Sequence, residues 1–161
     1  MTGEAQRQVI RVRAQIVVEA PIKRAFQVFT EGIGSWFPPE YNLLGVEIAE
    51  RVFEPRVGGH VYDRGIDGSE CRWARVLAYD PPTQFVISWD ISPTWQIESD
   101  HTKTSEVEVR FISESPNRTR VEVEHRNIER HGEGWEQTRD AVGSEGGWPG
   151  ALRRFAERLA A

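Results

Sequence analysis

A chain of 161 residues, 39% hydrophobic and 28% charged, has the size of one domain, is long enough to bury a substantial core and is too apolar to stay disordered. Its formal charge of −5, with the basic residues scattered singly among acids, excludes the basic stripe that nucleic acid attracts. The segment from Met1 to Arg13 has no apolar run of leader length, no stretch reaches the roughly 20 apolar residues of a bilayer span, and the one cysteine, Cys71, leaves no internal disulfide and no multi-cysteine metal site.

In chain order, Ile10, Val12, Ala14, Ile16 and Val18 alternate with polar residues, the period of a half-buried strand. Pro21 suits the first turn of a helix, in which Ile22, Ala25, Phe26 and Phe29 recur at helical spacing until Gly32 and Gly34. A second short helical turn carries Ile33, Trp36 and Phe37 before Pro38 and Pro39 end it.

Six β-like runs follow: Val46 to Phe53, His60 to Arg64, Glu70 to Tyr79, Gln84 to Asp90, Ser105 to Ser113 and Thr119 to His125. Turn signals separate them, from Glu54-Pro55 through Gly58-Gly59, then Asp67-Gly68, Asp80-Pro81-Pro82 and Ser115-Pro116-Asn117. Connections this short imply an antiparallel meander. The polar stretch from Ile91 to Thr104 is longer than a hairpin needs and reads as a mobile loop over one end of the sheet. After Glu133 the period becomes helical again, with Trp135, Thr138, Ala141 and Val142 on one face and Trp148, Leu152, Phe155 and Leu159 on another. The glycine-rich stretch Gly143 to Gly147 divides the two pieces.

The order strand, two short helices, six strands and a long final helix resembles the SRPBCC (START-like) superfamily. Within it the chain is similar to bacterial proteins related to the C-terminal domain of the activator of the ninety-kilodalton heat-shock chaperone's ATPase. The matching segments are Val18-Glu19-Ala20-Pro21 with Ala25-Phe26, Gly34-Ser35-Trp36-Phe37, Glu54 to Gly59, Asp80-Pro81-Pro82 with Phe85 to Trp89, and Thr119 to His125. The resemblance implies an α+β helix-grip fold: a seven-stranded curved antiparallel sheet around a long C-terminal helix, two short helices after the first strand, and a cavity between sheet and helix.

That superfamily holds carriers, receptors, cyclases and co-chaperones, so function has to be read from the cavity. Trp36, Trp73, Trp89, Trp135 and Trp148 fall on elements around the groove, and Phe155 lies on the final helix. Each ring serves either as core or as lining of an open site. Trp95 falls in the polar loop, outside it. His125 shares a face with Val121 and Val123, where it is either a satisfied core histidine or the group that orients a ligand's polar end. His60 and Tyr62 alternate together, and Tyr62 joins the ligand-binding candidates. Arg72 and Arg75 flank Trp73 on opposite faces, which directs one arginine toward the concave side, where it either needs a carboxylate or an anionic ligand group or, on a strand near an edge, snorkels to water. Glu129-Arg130-His131-Gly132-Glu133 reads as a solvated turn. No phosphate loop, nucleophile elbow or paired metal-ligating histidines are present, and no catalytic residue is assigned.

The expectations are a cytoplasmic protein, one domain over residues 1–161, with no metal and no cofactor, that binds a small apolar or aromatic molecule. A cyclase or aromatase using the same cavity is the enzyme alternative, and a co-chaperone-like protein partner is a third reading. The sequence leaves a homodimer open.

Overall fold

Alternating apolar residues make each strand pair so that one face of the sheet is dry. The computed structural model describes residues 10–161; Met1 to Val9, part of the segment expected to lack a leader, lie outside the described residues. The elements are β1 (Arg11–Val18), α1 (Ile22–Thr30), β2 (Ile48–Phe53), β3 (His60–Gly65), β4 (Glu70–Asp80), β5 (Gln84–Trp89), β6 (Ser105–Ser115), β7 (Arg118–Arg126), α2 (Trp135–Gly143) and α3 (Trp148–Ala160). Short 3-10 turns cover Ile33–Ser35, His101–Lys103 and Ile128–His131. The strands form one seven-stranded sheet in the order β1-β7-β6-β5-β4-β3-β2, a meander whose last strand returns to pair with the first.

Register explains the inner face. Ala14, Val123 and Val109 stand in one row across β1, β7 and β6, and Ile16, Val121 and Phe111 in the next. Val12, His125 and Val107 complete a third row. The same pairing puts charges on the outer face, where Arg13 meets Glu124 at 3.2 Å and Arg126 reaches Glu106 at 3.3 Å. These exposed pairs fix register more than they stabilise.

A β-bulge overturns one expectation. Val61 faces Ala74 but Tyr62 faces Arg72, so β4 carries an extra residue at Trp73. Trp73 and Ala74 are both buried, while Arg72 is exposed and Arg75 half-buried. The extra residue resets the alternation, so neither arginine enters the concave side. Arg75 instead forks onto Asp90 through Nε and Nη2, both at 3.0 Å.

The helices close the inner face. Phe26 and Phe29 of α1, and Trp148, Leu152 and Phe155 of α3, are buried against the sheet, with Leu159 partly so. Phe29 lies 4.9 Å from Phe155, 4.6 Å from Trp36 and 5.6 Å from Phe111, ring centre to ring centre, in the tilted and edge-on arrangements aromatic pairs favour. The bend between α2 and α3 depends on Gly147, where a Cβ would stand 2.2 Å from the Val142 carbonyl oxygen. The segment read as a mobile loop is folded on itself: Ile91 bridges Ile97, Glu98 N donates to Asp90 O at 2.9 Å, and Asp100 caps the 3-10 turn through Thr102 N.

Phe155 is fully buried at the meeting of α1, α3 and the segment after α1. Phe155→Ala is expected to lower the unfolding free energy by about 3–5 kcal/mol, measured by urea denaturation; a loss below about 1 kcal/mol would show that α3 does not grip the sheet.

Candidate functional site

Against the inner face lies an aromatic chamber in two halves, one under the segment from Phe37 to Leu43 and one under the α2–α3 bend and the start of α3. One is bounded by Phe37, Leu43, Asp63, Trp73 and Ile91, the other by Val142, Gly147, Trp148 and Ala151, and Phe37, Tyr41 and Trp89 belong to both. Each half leaves a space of about 10 Å³, room for about one water molecule. Outside it, a groove of about 480 Å³ runs past Glu40, Asn42, Leu43, Trp95, Ala141 and Ser144. Tyr41 and Trp95 separate groove from chamber, their rings 5.8 Å apart.

Tyr41 is the latch. Its hydroxyl donates to the Gly146 carbonyl at 2.6 Å, tying the segment after Pro39 to the α2–α3 bend. Burial pushes its phenol above the ordinary value, and Glu40 adds to that, so the hydroxyl stays a donor at neutral pH. Trp95 sits at φ +62° and is 38% exposed, a left-handed backbone that a bulky residue adopts only under constraint. Expected outside in a polar loop, it stands at the chamber mouth.

Beneath the latch a buried ion pair anchors the wall. Arg51 Nε donates to Asp63 Oδ1 at 2.6 Å and Nη2 to Oδ2 at 3.1 Å, the two-pronged geometry that suits a guanidinium. The remaining donors reach the carbonyls of Phe37, Pro38 and Tyr41, and Trp73 Nε1 donates to Asp63 at 3.3 Å.

Behind Trp89 and Trp148, outside the lining of either half, runs a polar chain of His125, Ser105 and His131. An indole N–H only donates, so Trp148 Nε1, 3.1 Å from His125 Nδ1, makes that nitrogen the acceptor. Complete burial, with repulsion from His131, pushes His125 down to about 3; the ring is neutral with its proton on Nε2. That N–H donates to Ser105 Oγ at 2.7 Å, and Ser105 Oγ lies 2.8 Å from His131 Nε2, a bond in which either atom can be the donor. Burial also lowers His131, against the opposing pull of Glu98 and Asp90. His131 Nδ1 is buried and has no hydrogen-bond partner among the described residues; it carries the proton of the neutral ring when the Ser105 hydroxyl donates to Nε2.

Of the residues singled out in the sequence, the structure brings Trp73, Trp89, Trp148 and His125 together: Trp89 lies 5.8 Å from Trp73, 6.0 Å from Trp148 and 5.2 Å from His125. Trp36 and Phe155 lie deeper, 5.3 Å apart, with Trp36 Nε1 bonded to Val28 O. Tyr62 and Trp135 stand away from the chamber, each half-buried under an arginine, Arg64 at 5.7 Å and Arg139 at 5.1 Å. His131, read as solvated, is 5% exposed. Sequence reasoning named Phe37 and His131 without giving them a place in the site, and passed over Tyr41, Arg51, Asp63 and Ser105. Only Asp63 carried a signal, since it shares the alternation of buried Val61.

The sheet, the gripping helix and the enclosed chamber define a helix-grip domain of the SRPBCC (START-like) class. The chain belongs to the AHSA1 family: the family model described as activator of Hsp90 ATPase homolog 1-like protein matches residues 19–160. Among solved structures it is similar to an anthrahydroquino-γ-pyrone synthase, Txn09, complexed with SUM, at 39% identity over 91% of this chain and 95% of that one, with a TM-score of 0.65. CalC, a self-sacrificing resistance protein from Micromonospora echinospora, is 29% identical over 92% and 93% of the two chains at a TM-score of 0.67. Protein NE0264 from Nitrosomonas europaea shares the fold at 14% identity, 94% coverage of each chain and a TM-score of 0.67. No curated protein sequence matches the chain significantly. Among the described residues no helix is long and apolar enough to cross a membrane, and no group of three or more His, Cys, Asp or Glu is placed to hold a metal ion.

The burial of His125 has a measurable consequence. Its folded value of about 3 lies below the ordinary 6.5, so the unfolded chain binds the extra proton in that window and stability falls as pH falls through it, by up to roughly 1.4 kcal/mol per pH unit for one such group. Urea melts from pH 7 to pH 4 should therefore lose stability more steeply for the wild type than for His125→Gln; parallel slopes would mean that His125 is not held neutral.

Proposed function

We propose that the chain takes a planar polycyclic aromatic molecule bearing phenolic or carbonyl oxygens into this chamber. The observation that carries this reading is the convergence of Trp73, Trp89 and Trp148 with the His125 imidazole behind a two-residue mouth. The edge-on rings of Trp73, Trp89 and Trp148 offer apolar surface to a flat body, and the imidazole, once freed from the Trp148 indole, offers one directional polar contact. The outer groove has the volume usual for small-molecule sites, a few hundred Å³. A latch of one neutral hydrogen bond holds it shut, and such a bond contributes only about 1 kcal/mol. Opening requires Tyr41 and Trp95 to turn aside.

A second reading, ring closure on that molecule, is favoured by the 39% identity to a γ-pyrone synthase over nearly the whole chain. A phenol ortho to a 1,3-diketone side chain would close by adding its oxygen to the distal carbonyl, with loss of one water. The chamber would supply folding of the chain and exclusion of solvent.

Titration with 1,8-dihydroxyanthraquinone, followed by quenching of tryptophan emission, is expected to give micromolar affinity, about −8 kcal/mol. Trp95→Ala at the mouth should weaken binding several-fold, the usual worth of one aromatic contact, whereas Trp135→Ala should leave it unchanged. Equal responses from the two variants would sink the chamber as the site. Mass spectrometry of the wild type with an ortho-hydroxyaryl 1,3-diketone decides the second reading by the presence or absence of the dehydrated product.

A further inference from the structure

We propose that His125, Ser105 and His131 form a proton relay that draws a proton from a phenolic hydroxyl in the chamber and delivers the charge to His131, beside Glu98 and Asp90. The inference rests on the reading of the chamber as a site for a phenolic aromatic molecule.

Three observations carry it. The chain of contacts is continuous, at 3.1, 2.7 and 2.8 Å from the Trp148 indole to His131. The donor-only indole makes His125 Nδ1 the acceptor, so neutral His125 presents its Nε2–H to Ser105. It ends on a buried His131 Nδ1 with no partner among the described residues. A buried donor left unpaired costs about 1–3 kcal/mol, and such groups call for a functional reason.

Alone, His125 is a poor base, because a cation at a site with no exposure is strongly disfavoured. The relay removes that obstacle. When a ligand displaces the Trp148 indole, His125 Nδ1 faces the chamber. The ligand O–H breaks as Nδ1–H forms; His125 Nε2 passes its proton to Ser105 Oγ, and the Ser105 proton goes to His131 Nε2. The products are a phenolate, a neutral His125 of inverted tautomer, an intact serine hydroxyl and an imidazolium at His131. No net charge stays on His125.

Burial disfavours an imidazolium at His131 too, but there the carboxylates of Glu98 and Asp90, both from the segment following β5, act against that cost, which no carboxylate does at His125. Arg75 of β4 is paired to Asp90, which offsets that carboxylate's charge, the neighbouring Arg130 lies 3.6 Å from Glu106, and the His101–Lys103 turn packs on the turn that carries His131. His125, on β7, remains neutral. Entry and relay are also linked. Trp148 opens α3 directly after Gly147, and the Tyr41 latch closes on Gly146. A molecule that lifts Tyr41 loosens the bend on which Trp148 stands.

The test uses protein labelled with 15N-histidine, its ring signals assigned with His131→Gln, because bare and protonated imidazole nitrogens are resolved by their shifts. In the free protein His125 should be protonated on Nε2 alone and His131 on Nδ1 alone; the opposite tautomer at either ring overturns the relay. With saturating 1,8-dihydroxyanthraquinone, His125 should switch to Nδ1 and His131 become doubly protonated, while the dye shows its phenolate absorption. Ser105→Ala should bind the dye within about threefold and show neither change, and Ser105→Thr, which keeps the hydroxyl, should restore both. Thermal melts confirm that each variant is folded. If the dye binds and the wild-type tautomers do not move, or move equally in Ser105→Ala, the relay is wrong. If the dye does not bind at all, the reading of the chamber fails instead, and the free-protein tautomers alone decide the relay.

Discussion

The Arg51–Asp63 ion pair is the contact on which the site depends. Both groups are almost wholly buried, at 8% and 1% exposure, and charges taken from water persist only if paired and fully hydrogen-bonded. That requirement draws in everything nearby. Asp63 is fixed by its place beside Val61 on β3, and Arg51 must reach it from β2. The rest of the guanidinium is satisfied by carbonyls from Phe37 to Tyr41, and Trp73 gives its indole proton to the same carboxylate. One electrostatic demand thus positions the chamber wall and the base of the latch. Phe37 lies under the guanidinium at 5.1 Å and stacks on Trp73 at 5.4 Å.

The remainder of the chamber is a balance between dense aromatic packing and a few directional contacts. Rings fill it until each half holds about one water's volume, so the closed form is a packed core in its own right. What distinguishes it from an ordinary core is where the polar groups fall. The His125–Ser105–His131 chain runs behind Trp89 and Trp148 without reaching solvent, and a single hydrogen bond at Tyr41 holds the mouth. A wall held by a buried ion pair, facing a mouth held by one neutral bond, is stiff on one side and yielding on the other.

Much of the architecture was legible residue by residue. The alternation from Val107 to Phe111 and from Val121 to His125 placed one face inward, and Trp148, Leu152 and Phe155 declared a helix to cover it. The misreadings have separate causes. Arg72 and Arg75 were assigned to opposite faces because the count of two assumes an unbroken ladder, and the bulge at Trp73 inserts a residue that only pairing with β3 reveals. Trp95 and His131 lie in polar segments, and composition reports the average of a segment, not the one side chain that turns inward. Trp135 obeyed helical spacing, yet α2 packs so that its ring lies under Arg139.

By itself, then, the sequence determined the strands, their order, the inward face and the aromatic character of the groove, because these follow from local periodicity and turn chemistry that need only neighbouring residues. Tertiary structure alone decided which groups meet. Ser105 and His131 are 26 positions apart, His125 and Trp148 are 23, and Tyr41 and Gly146 are 105. No local pattern encodes a hydrogen bond over such separations. Those contacts arise when the meander curls and α3 bends back at Gly147, since burying the apolar faces carries the polar atoms into a space where each must find a partner.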